Sequence, residues 1–375
     1  MRRSLPDAVA REVRLRAQRL STARPEPVST VVAEVAALQA QSTPAARLAV
    51  RARAGGDHLT AADVDAACAD RRVVRTWLLR GTLHMVAAAD LRWMLSLVGP
   101  VAAAAQRRRR QELGLDDAVC ERGLALIGEA LAGSPPLTRA ELLARLTAAG
   151  LPLDPTGQAP AHLLCYAALR GLICRGPERG AEPTYVLLDD WVPGGRTLDR
   201  DEALAELARR YLAAHGPATV RDFMWWSGLP AAPARRAFAL IAAEVTEVEA
   251  FGAPAVALSA TDLETGPARS VRLLGNFDAY LLGFRSRDPV LDPCCARRVL
   301  AGGVIRAAVL VDGRVAGTWR LVRRAGLGRV VVEPCAEIAP DRHAELAAEA
   351  AAVGRFLGVE TALDLAAPGR GPGTS

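Results

Sequence analysis

The sequence contains no lysine, so all 47 of its basic side chains are arginines. Without lysine the chain cannot form a lysine Schiff base, bind pyridoxal phosphate in the usual way or place a P-loop lysine on a phosphate. The N-terminus supplies the only amine. These absences exclude several classes of enzyme before any motif is considered.

Cysteine and aromatic residues are also sparse, at seven cysteines and 4% aromatics in 375 residues. The cysteines form no CxxC pair and have no histidine at ligand spacing, so we expect no structural zinc, no other metal and no cofactor. Charges interrupt the first twenty residues, and an uncharged run of about 18 residues is absent, which argues against a signal peptide and a membrane-spanning helix. We expect a cytoplasmic protein of a reducing compartment.

What the chain does contain is apolar: 51% of its residues are hydrophobic, enough to bury a sizeable core over a length of two to three ordinary domains. Its net charge is +6. Alanine, glycine and proline are abundant together with arginine, which indicates a GC-rich coding bias. The number of arginines is therefore not itself evidence of function.

A threonine followed three residues later by an acidic residue is the signature of a helix start. It occurs three times at intervals of about eighty residues, as Thr60 with Asp63, Thr138 with Glu141 and Thr219 with Asp222. Short β-rich stretches follow each pair, directly or after a further helix. Helices followed by a small hairpin predict a winged helix.

The sequence thus predicts an α+β, mainly helical fold of three tandem winged-helix units around a cleft, followed by a β-rich C-terminal segment. The expected segments are 1–115, 116–196 and 197–268 for the winged helices, 269–366 for a β-rich region with hairpins and a terminal helix, and 367–375 for a disordered tail.

Several individual elements are predicted within these segments. Helices are expected over 6–20, 28–39, 158–171, 230–245 and 340–357, and a wing over 174–188. Asp312-Gly313 predicts a type I′ hairpin turn. Of the neighbouring Trp225 and Trp226, which point about 100° apart on a helix, we expect at least one to lie in the core.

Four phrases resemble one family, the AlkZ-like bacterial DNA glycosylases, which share a superfamily with the YcaQ proteins. They are LQAQ at 38–41, RGTLHMV at 80–86, FDAYLLGFRSRDPVL at 277–291 and VDGRVAGTWR at 311–320. The catalytic element of the family, glutamine, aliphatic residue, glutamine, maps onto Gln39 and Gln41 around Ala40. The YcaQ branch has aspartate at the second polar position.

The resemblance implies a cleft of winged helices that cradles a DNA duplex and a reaction that removes an alkylated base. Hydrolysis of the N-glycosidic bond passes through an oxocarbenium-like state. A guanine alkylated at N7 already carries positive charge and leaves without a strong acid, so two amides that position water can suffice.

We therefore expect a monofunctional glycosylase that excises bulky or crosslinked N7-alkylguanine and leaves an abasic site, in DNA repair or self-resistance to a genotoxin. The absence of lysine favours a hydrolase without lyase activity, because β-lyases normally form an amine adduct with the sugar. The expected partner is double-stranded DNA containing alkylated guanine, bound by a monomer that associates with the nucleoid.

Two sets of residues are candidates beside the glutamines. Arg80, Thr82 and His84 would line the cleft and contact phosphate or lesion, although a lone histidine on a strand is more often a hydrogen-bonded structural residue. In the FDAY phrase, packing of Phe277 and Tyr280 around a hydrogen-bonded Asp278 is favoured over catalysis.

Two arginine clusters are candidates for DNA binding. The first is the helical run Arg107, Arg108, Arg109 and Arg110, of which at least one must face the protein. The second comprises Arg320, Arg323, Arg324 and Arg329, which flank a glycine-rich turn between two predicted strands. A solvated helix face and an ordinary exposed turn are the alternatives. The resemblance implies a hairpin that engages DNA, for which this turn or the hairpin at 304–320 is the candidate.

A noncatalytic winged-helix DNA-binding protein, such as a transcriptional regulator, is the alternative from another class. It would need a dimerisation element and recognition helices rich in residues that bind base edges. Neither feature is evident, and Asn276 is the single asparagine. A degenerate glycosylase that binds lesions without excising them is a third possibility, disfavoured because both glutamines are retained.

Overall fold

The structure, a computed structural model, describes residues 3–22, 24–55, 57–266, 269–324 and 326–368. In these ranges the chain is α+β and mainly helical, as predicted. It forms two compact bodies, body A from residues 1–64, 208–226 and 241–375, and body B from 65–207 and 227–240. The winged-helix boundaries stay a prediction, and the expected tail lies outside the described residues from position 369 onward.

The helices begin and end as follows: α1 Asp7–Ala17, α2 Val28–Glu34, α3 Thr43–Ala54, α4 Ala61–Ala69, α5 Ala88–Ala105, α6 Arg107–Glu112, α7 Asp117–Leu131, α8 Arg139–Ala148, α9 Ala159–Leu169, α10 Leu188–Trp191, α11 Arg200–His215, α12 Val220–Ser227, α13 Ala231–Leu240, α14 Ala279–Leu282, α15 Pro293–Val299 and α16 His343–Leu357. In the described chain, none of the helices is both long and apolar enough to cross a membrane.

The strands are β1 Arg3–Leu5, β2 Leu38–Gln39, β3 Val73–Trp77, β4 Leu83–Ala87, β5 Leu137–Thr138, β6 Ile173–Arg175, β7 Thr184–Leu187, β8 Val245–Ala250, β9 Ala253–Leu258, β10 Val271–Leu274, β11 Leu300–Ala301, β12 Val304–Ile305, β13 Ala308–Val311, β14 Arg314–Arg324, β15 Leu327–Pro334 and β16 Thr361–Leu365.

In body B two hairpins share one sheet, in the order β4-β3-β6-β7-β5. The hairpins join where Arg75 pairs with Arg175, and all neighbouring strands are antiparallel. Helices α7, α8 and α9 pack leucines against this sheet, among them the fully buried Leu142, Leu146 and Leu163. The second hairpin thus follows two helices, as a winged helix requires.

In body A the main sheet has the order β10-β13-β14-β15-β16, and a smaller sheet has the order β1-β8-β9. Helix α16 covers the main sheet, with Leu346 and Val353 packed on Val330, Val332 and their neighbours. Burial alternates along β15, because successive residues of a strand face opposite sides: Gly328, Val330, Val332 and Pro334 are buried, and the residues between them are less so.

Local signals in the sequence are mostly confirmed. Each of the three threonine and acid pairs forms its reciprocal hydrogen bonds at a helix start. Asp312 and Gly313 both have positive φ, at 50° and 76°, as a type I′ turn requires. Trp226 is 3% exposed and packs in the core, whereas Trp225 is 43% exposed.

One predicted helix is wrong at its end. The helix expected over 28–39 stops at Glu34, because the chain turns through Ala36, whose φ is 66°, and then runs extended through Leu38 and Gln39. The other predicted helices differ from the observed bounds by a few residues, as is usual at helix ends. Strands β1, β5, β11 and β16 were not predicted, and β2 lies where a helix was expected.

A disulfide also joins Cys295 at the start of α15 to Cys335 just after β15, with the Cα atoms 5.4 Å apart. The two cysteines are 40 residues apart in sequence. Helix α15 packs against β14, and β14 pairs with β15, so tertiary structure brings the two cysteines together and cysteine spacing could not reveal the bond.

Body A contains a fully buried ion pair between Arg53 and Asp278, whose side chains have no exposed surface. The two guanidinium Nη atoms donate to the two carboxylate oxygens at 2.9 and 2.7 Å. The same guanidinium donates to Gln18, which in turn donates to the carbonyl of Ala214. This network joins α1, α3, α11 and the segment before α14, and it confirms the structural interpretation of Asp278.

Removal of one charge from this pair leaves the other buried without a counterion. We expect Asp278→Asn to lower the free energy of unfolding by about 3–5 kcal/mol, measured by urea denaturation. The matched control is Asp57→Asn, which breaks the half-exposed pair with Arg355 and should cost under about 1 kcal/mol. Equal stability of the two variants would contradict this account of the pair.

Candidate active site

Gln39 and Gln41 lie on an extended stretch of body A between α2 and α3. Successive side chains of an extended chain point to opposite sides. Leu38 and Ala40 are accordingly fully buried, whereas Gln39 is half-buried and Gln41 is exposed. The alternation places both amides on the same, outer side of the segment.

The two amides contact each other directly. Gln39 Nε2 donates to Gln41 Oε1 at 2.7 Å. Within the described chain their remaining polar atoms, Gln39 Oε1 and Gln41 Nε2, make no other side-chain hydrogen bond. One acceptor and one donor are therefore available side by side, which is the set that can orient a water molecule.

The start of α3 fixes the position of this segment. Ser42 is its N-cap, and its hydroxyl accepts a hydrogen bond from the backbone of Ala45 at 3.4 Å. Pro44 lies in the first turn, where its missing N–H costs nothing. The glutamines thus precede a helix rather than end one, which corrects the expected helix over 28–39.

The three cleft-lining candidates belong to body B. Arg80 and Gly81 turn the chain between β3 and β4 with φ values of 54° and 69°. The positive φ at position 81 favours glycine, because a residue with a side chain is strained in this conformation. Thr82 donates its hydroxyl hydrogen to the carbonyl of Leu79 at 3.1 Å. Arg80 and Thr82 are half-buried.

His84 is only 3% exposed. Its Nδ1 lies 2.9 Å from the carbonyl of Thr82 and therefore donates to it. Burial, with a smaller effect of the charge of Arg80, lowers the pKa of His84 from 6.5 to about 3. A buried, neutral, hydrogen-bonded ring favours the structural interpretation of this histidine, while its predicted role beside the glutamines stays a prediction.

The run Arg107–Arg110 forms α6, as expected. Arg110 is 4% exposed, donates to the carbonyl of Ala103 and stacks on the ring of Tyr166. The other three arginines are exposed, and each pairs with a carboxylate: Arg107 with Asp117, and Arg108 and Arg109 with Glu112. The prediction that one arginine faces the protein and the others face outward is confirmed.

The second cluster lies on the β14–β15 hairpin of body A. Arg320 and Arg329 pair with Glu333 and Asp364 at 3.5 and 3.4 Å. Arg323 and Arg324, next to the turn, are exposed and form no ion pair with any described residue. Leu327 opens the returning strand and is 58% exposed. The hairpin end thus presents free positive charge beside an apolar side chain.

The low pKa of His84 has a consequence for stability. The unfolded chain takes up a proton near pH 6.5 and the folded chain does not, so stability is lost as the pH falls below 6.5. We expect about 2 kcal/mol of this loss between pH 7 and pH 5. His84→Gln should therefore show a smaller decline in unfolding free energy over this range than wild type. The exposed His58→Gln is the control, and a decline in His84→Gln as steep as that of wild type would refute the assignment.

Comparisons with known proteins agree with the resemblance drawn from the four phrases. A family model of DNA glycosylase AlkZ-like proteins matches residues 32–356. The chain is 32% identical to an interstrand DNA cross-link repair glycosylase of Streptomyces sahachiroi, over 78% of this chain and 82% of that protein. The solved structure of the DNA glycosylase AlkZ from the same organism matches with a TM-score of 0.80 and 29% identity, covering 97% of this chain and 100% of that one. The chain therefore belongs to the AlkZ-like family and is a DNA glycosylase.

Proposed function

We propose that the chain hydrolyses the N-glycosidic bond of N7-alkylated guanine in double-stranded DNA, with bulky or crosslinked adducts as its substrates. The contact between Gln39 and Gln41 carries this proposal, since it places two amides where they can hold a water molecule. The similarity to a glycosylase of interstrand cross-link repair supports the choice of bulky lesions.

The chemistry suits weak catalytic groups. The positive charge of an N7-alkylated guanine makes it a good leaving group, and positive charge develops on the sugar as the bond breaks. Gln39 Oε1 accepts a hydrogen bond from the attacking water, and its dipole stabilises the nearby cation. Gln41 Nε2 donates to the water oxygen. Neither amide takes the proton, which passes to solvent.

The product of this reaction is an abasic site. A β-lyase would need an amine that attacks the opened sugar, and the sequence offers no lysine for it. The proposal therefore includes monofunctional hydrolysis by a cytoplasmic monomer that associates with the nucleoid, in DNA repair or in self-resistance to an alkylating agent.

Replacement of both amides tests the catalytic assignment. We expect the double variant Gln39→Ala, Gln41→Ala to excise N7-methylguanine from a duplex on the order of 100-fold more slowly than wild type, because the water is no longer held. The assay is a single-turnover incubation with chelator present, followed by hot alkali to cut abasic sites.

The matched control is Gln111→Ala, at an exposed glutamine of α6. An unchanged rate in the double variant would refute the role of the two amides. Wild-type protein that binds duplex DNA but excises neither N7-methylguanine nor a bulky N7 adduct would favour the noncatalytic alternative.

The two arginine clusters differ in their ion pairs, and this difference predicts which cluster contacts DNA. Arg107, Arg108 and Arg109 all pair with carboxylates, the latter two with the same Glu112, whereas Arg323 and Arg324 form no ion pair with a described residue and are available to phosphate. We expect the variant Arg323→Gln, Arg324→Gln to weaken binding to an undamaged duplex about tenfold and to flatten its salt dependence, since each lost phosphate contact lowers the slope by about 0.9. Fluorescence anisotropy across salt concentrations measures both. A larger loss in Arg107→Gln, Arg108→Gln would reverse the assignment.

A further inference from the structure

A second basic cavity in body A lies apart from the hairpin end. It has a volume of about 670 Å³ and is formed where the start of α12 meets the loop between α14 and α15. Its polar wall includes Arg221, Arg285 and Arg287. The two latter residues belong to the phrase FDAYLLGFRSRDPVL, for which the sequence suggested packing but no ligand.

Asp222 joins the two elements that form this wall. One carboxylate oxygen accepts the backbone N–H and the hydroxyl hydrogen of Thr219, at 3.0 and 2.7 Å, and the other accepts the backbone N–H of Arg285 at 2.9 Å. The carboxylate is thus hydrogen-bonded both to the residue before α12 and to the backbone of the loop. It holds the loop in place without pairing with an arginine side chain of the cavity.

None of the three guanidinium groups forms an ion pair with a described residue, although two carboxylates line the same cavity. Arg221 and Arg285 are exposed. Arg287 donates Nε to the carbonyl of Leu281 at 2.7 Å, and burial of its guanidinium lowers its pKa. Partial loss of hydration that no ion pair compensates disfavours a charged group, so an anion bound there would stabilise it.

The remaining acid of the cavity is Asp288. Its carboxylate accepts the hydroxyl hydrogen of Ser286 at 2.8 Å. With Asp222, the cavity therefore contains three positive and two negative side chains. The net charge of these five side chains is +1, which is opposite to the single negative charge of one phosphodiester group.

The rest of the lining is an apolar wall. It is built by Leu291, Pro293, Ala296 and Leu300, of which Leu300 is 39% exposed. A cavity lined by both arginines and aliphatic carbon matches a sugar-phosphate unit better than it matches an isolated anion, which would leave the apolar wall without a contact.

We propose that this cavity binds one sugar-phosphate unit of the DNA backbone, with the phosphate between Arg221, Arg285 and Arg287 and the deoxyribose against the apolar wall. The assignment rests on the proposed function only in taking DNA as the ligand. It adds a backbone contact to those of the arginine clusters, and such contacts set register on the duplex without reading its sequence.

The test compares two variants of the full-length protein that lose the same charge. Arg221→Gln, Arg285→Gln removes the two exposed arginines of the cavity. Arg3→Gln, Arg355→Gln removes two exposed arginines of body A that are already paired, with Glu264 and Asp57. Binding to an undamaged fluorescent duplex is followed by anisotropy from about 0.05 to 0.3 M salt, a range over which phosphate contacts dominate affinity.

We expect the cavity variant to bind about tenfold more weakly, with a salt slope lower by about 0.9, and the control to change less than about twofold. Equal losses in the two variants would overturn the proposal. Thermal unfolding checks that both variants fold as wild type does. If the cavity variant is unstable, Arg285→Gln alone gives the same comparison against Arg355→Gln.

Two further measurements are needed. The first distinguishes free phosphate from DNA as the ligand of the cavity, and the second distinguishes failure of this proposal from failure of the proposed function. If inorganic phosphate alone raises the melting temperature of wild type but not of the cavity variant, while duplex binding is equal in both, the site serves free phosphate and the DNA assignment is wrong. Excision is assayed in parallel on a duplex with N7-methylguanine. Failure of wild type to excise would refute the proposed function and leave the binding comparison on undamaged DNA valid.

Discussion

The buried pair of Arg53 with Asp278 is the constraint on which the geometry of body A depends. Two charges without any exposed surface are tolerated because further hydrogen bonds satisfy both Nη atoms and one carboxylate oxygen, through Gln18, the carbonyl of Ala49 and the backbone N–H of Tyr280. Arg53 lies near the end of α3, and the segment with Gln39 and Gln41 comes just before the start of the same helix. A helix fixed at its far end by an ion pair and at its near end by Ser42 holds Gln39 and Gln41 in one place.

In the proposed mechanism, weak catalytic groups are sufficient because the substrate supplies the charge. Amides do not titrate near neutral pH, so their hydrogen bonds keep the same polarity whatever the proton concentration. The amides act by orienting water. Both point to the same side of the segment because buried and outward-facing side chains alternate along Leu38, Gln39, Ala40 and Gln41. Alanine between the glutamines is fully buried, which shows that a small side chain fills the available space there.

Helix starts and turns could be predicted from the sequence, whereas contacts between residues far apart in the chain could not. The helix starts at Thr60, Thr138 and Thr219 and the turn at Asp312-Gly313 depend on residues within four positions of each other, so their patterns are complete in the sequence. The strand at Gln39 was taken for helix because the apolar pattern continues past Glu34, and only the positive φ of Ala36 breaks it. Strand β1, which lies parallel to β8 some 245 residues later, leaves no local signal. The same holds for the cavity at Arg221 and Arg285, whose residues are 64 positions apart.

Translation completes body B before body A, although the first segment of body A precedes body B in the sequence. All of body B is contained in residues 65–240, whereas body A is completed only by its last segment, which begins at 241. Arg53 is synthesised early but meets its carboxylate only after residue 278 has left the exit tunnel. Gln39 and Gln41, which precede Arg53 in the chain, therefore acquire their final support only after most of the chain has been made. Premature termination would yield a finished body B attached to an N-terminal segment with an uncompensated arginine, a product suited to disposal by quality-control proteases rather than to partial activity.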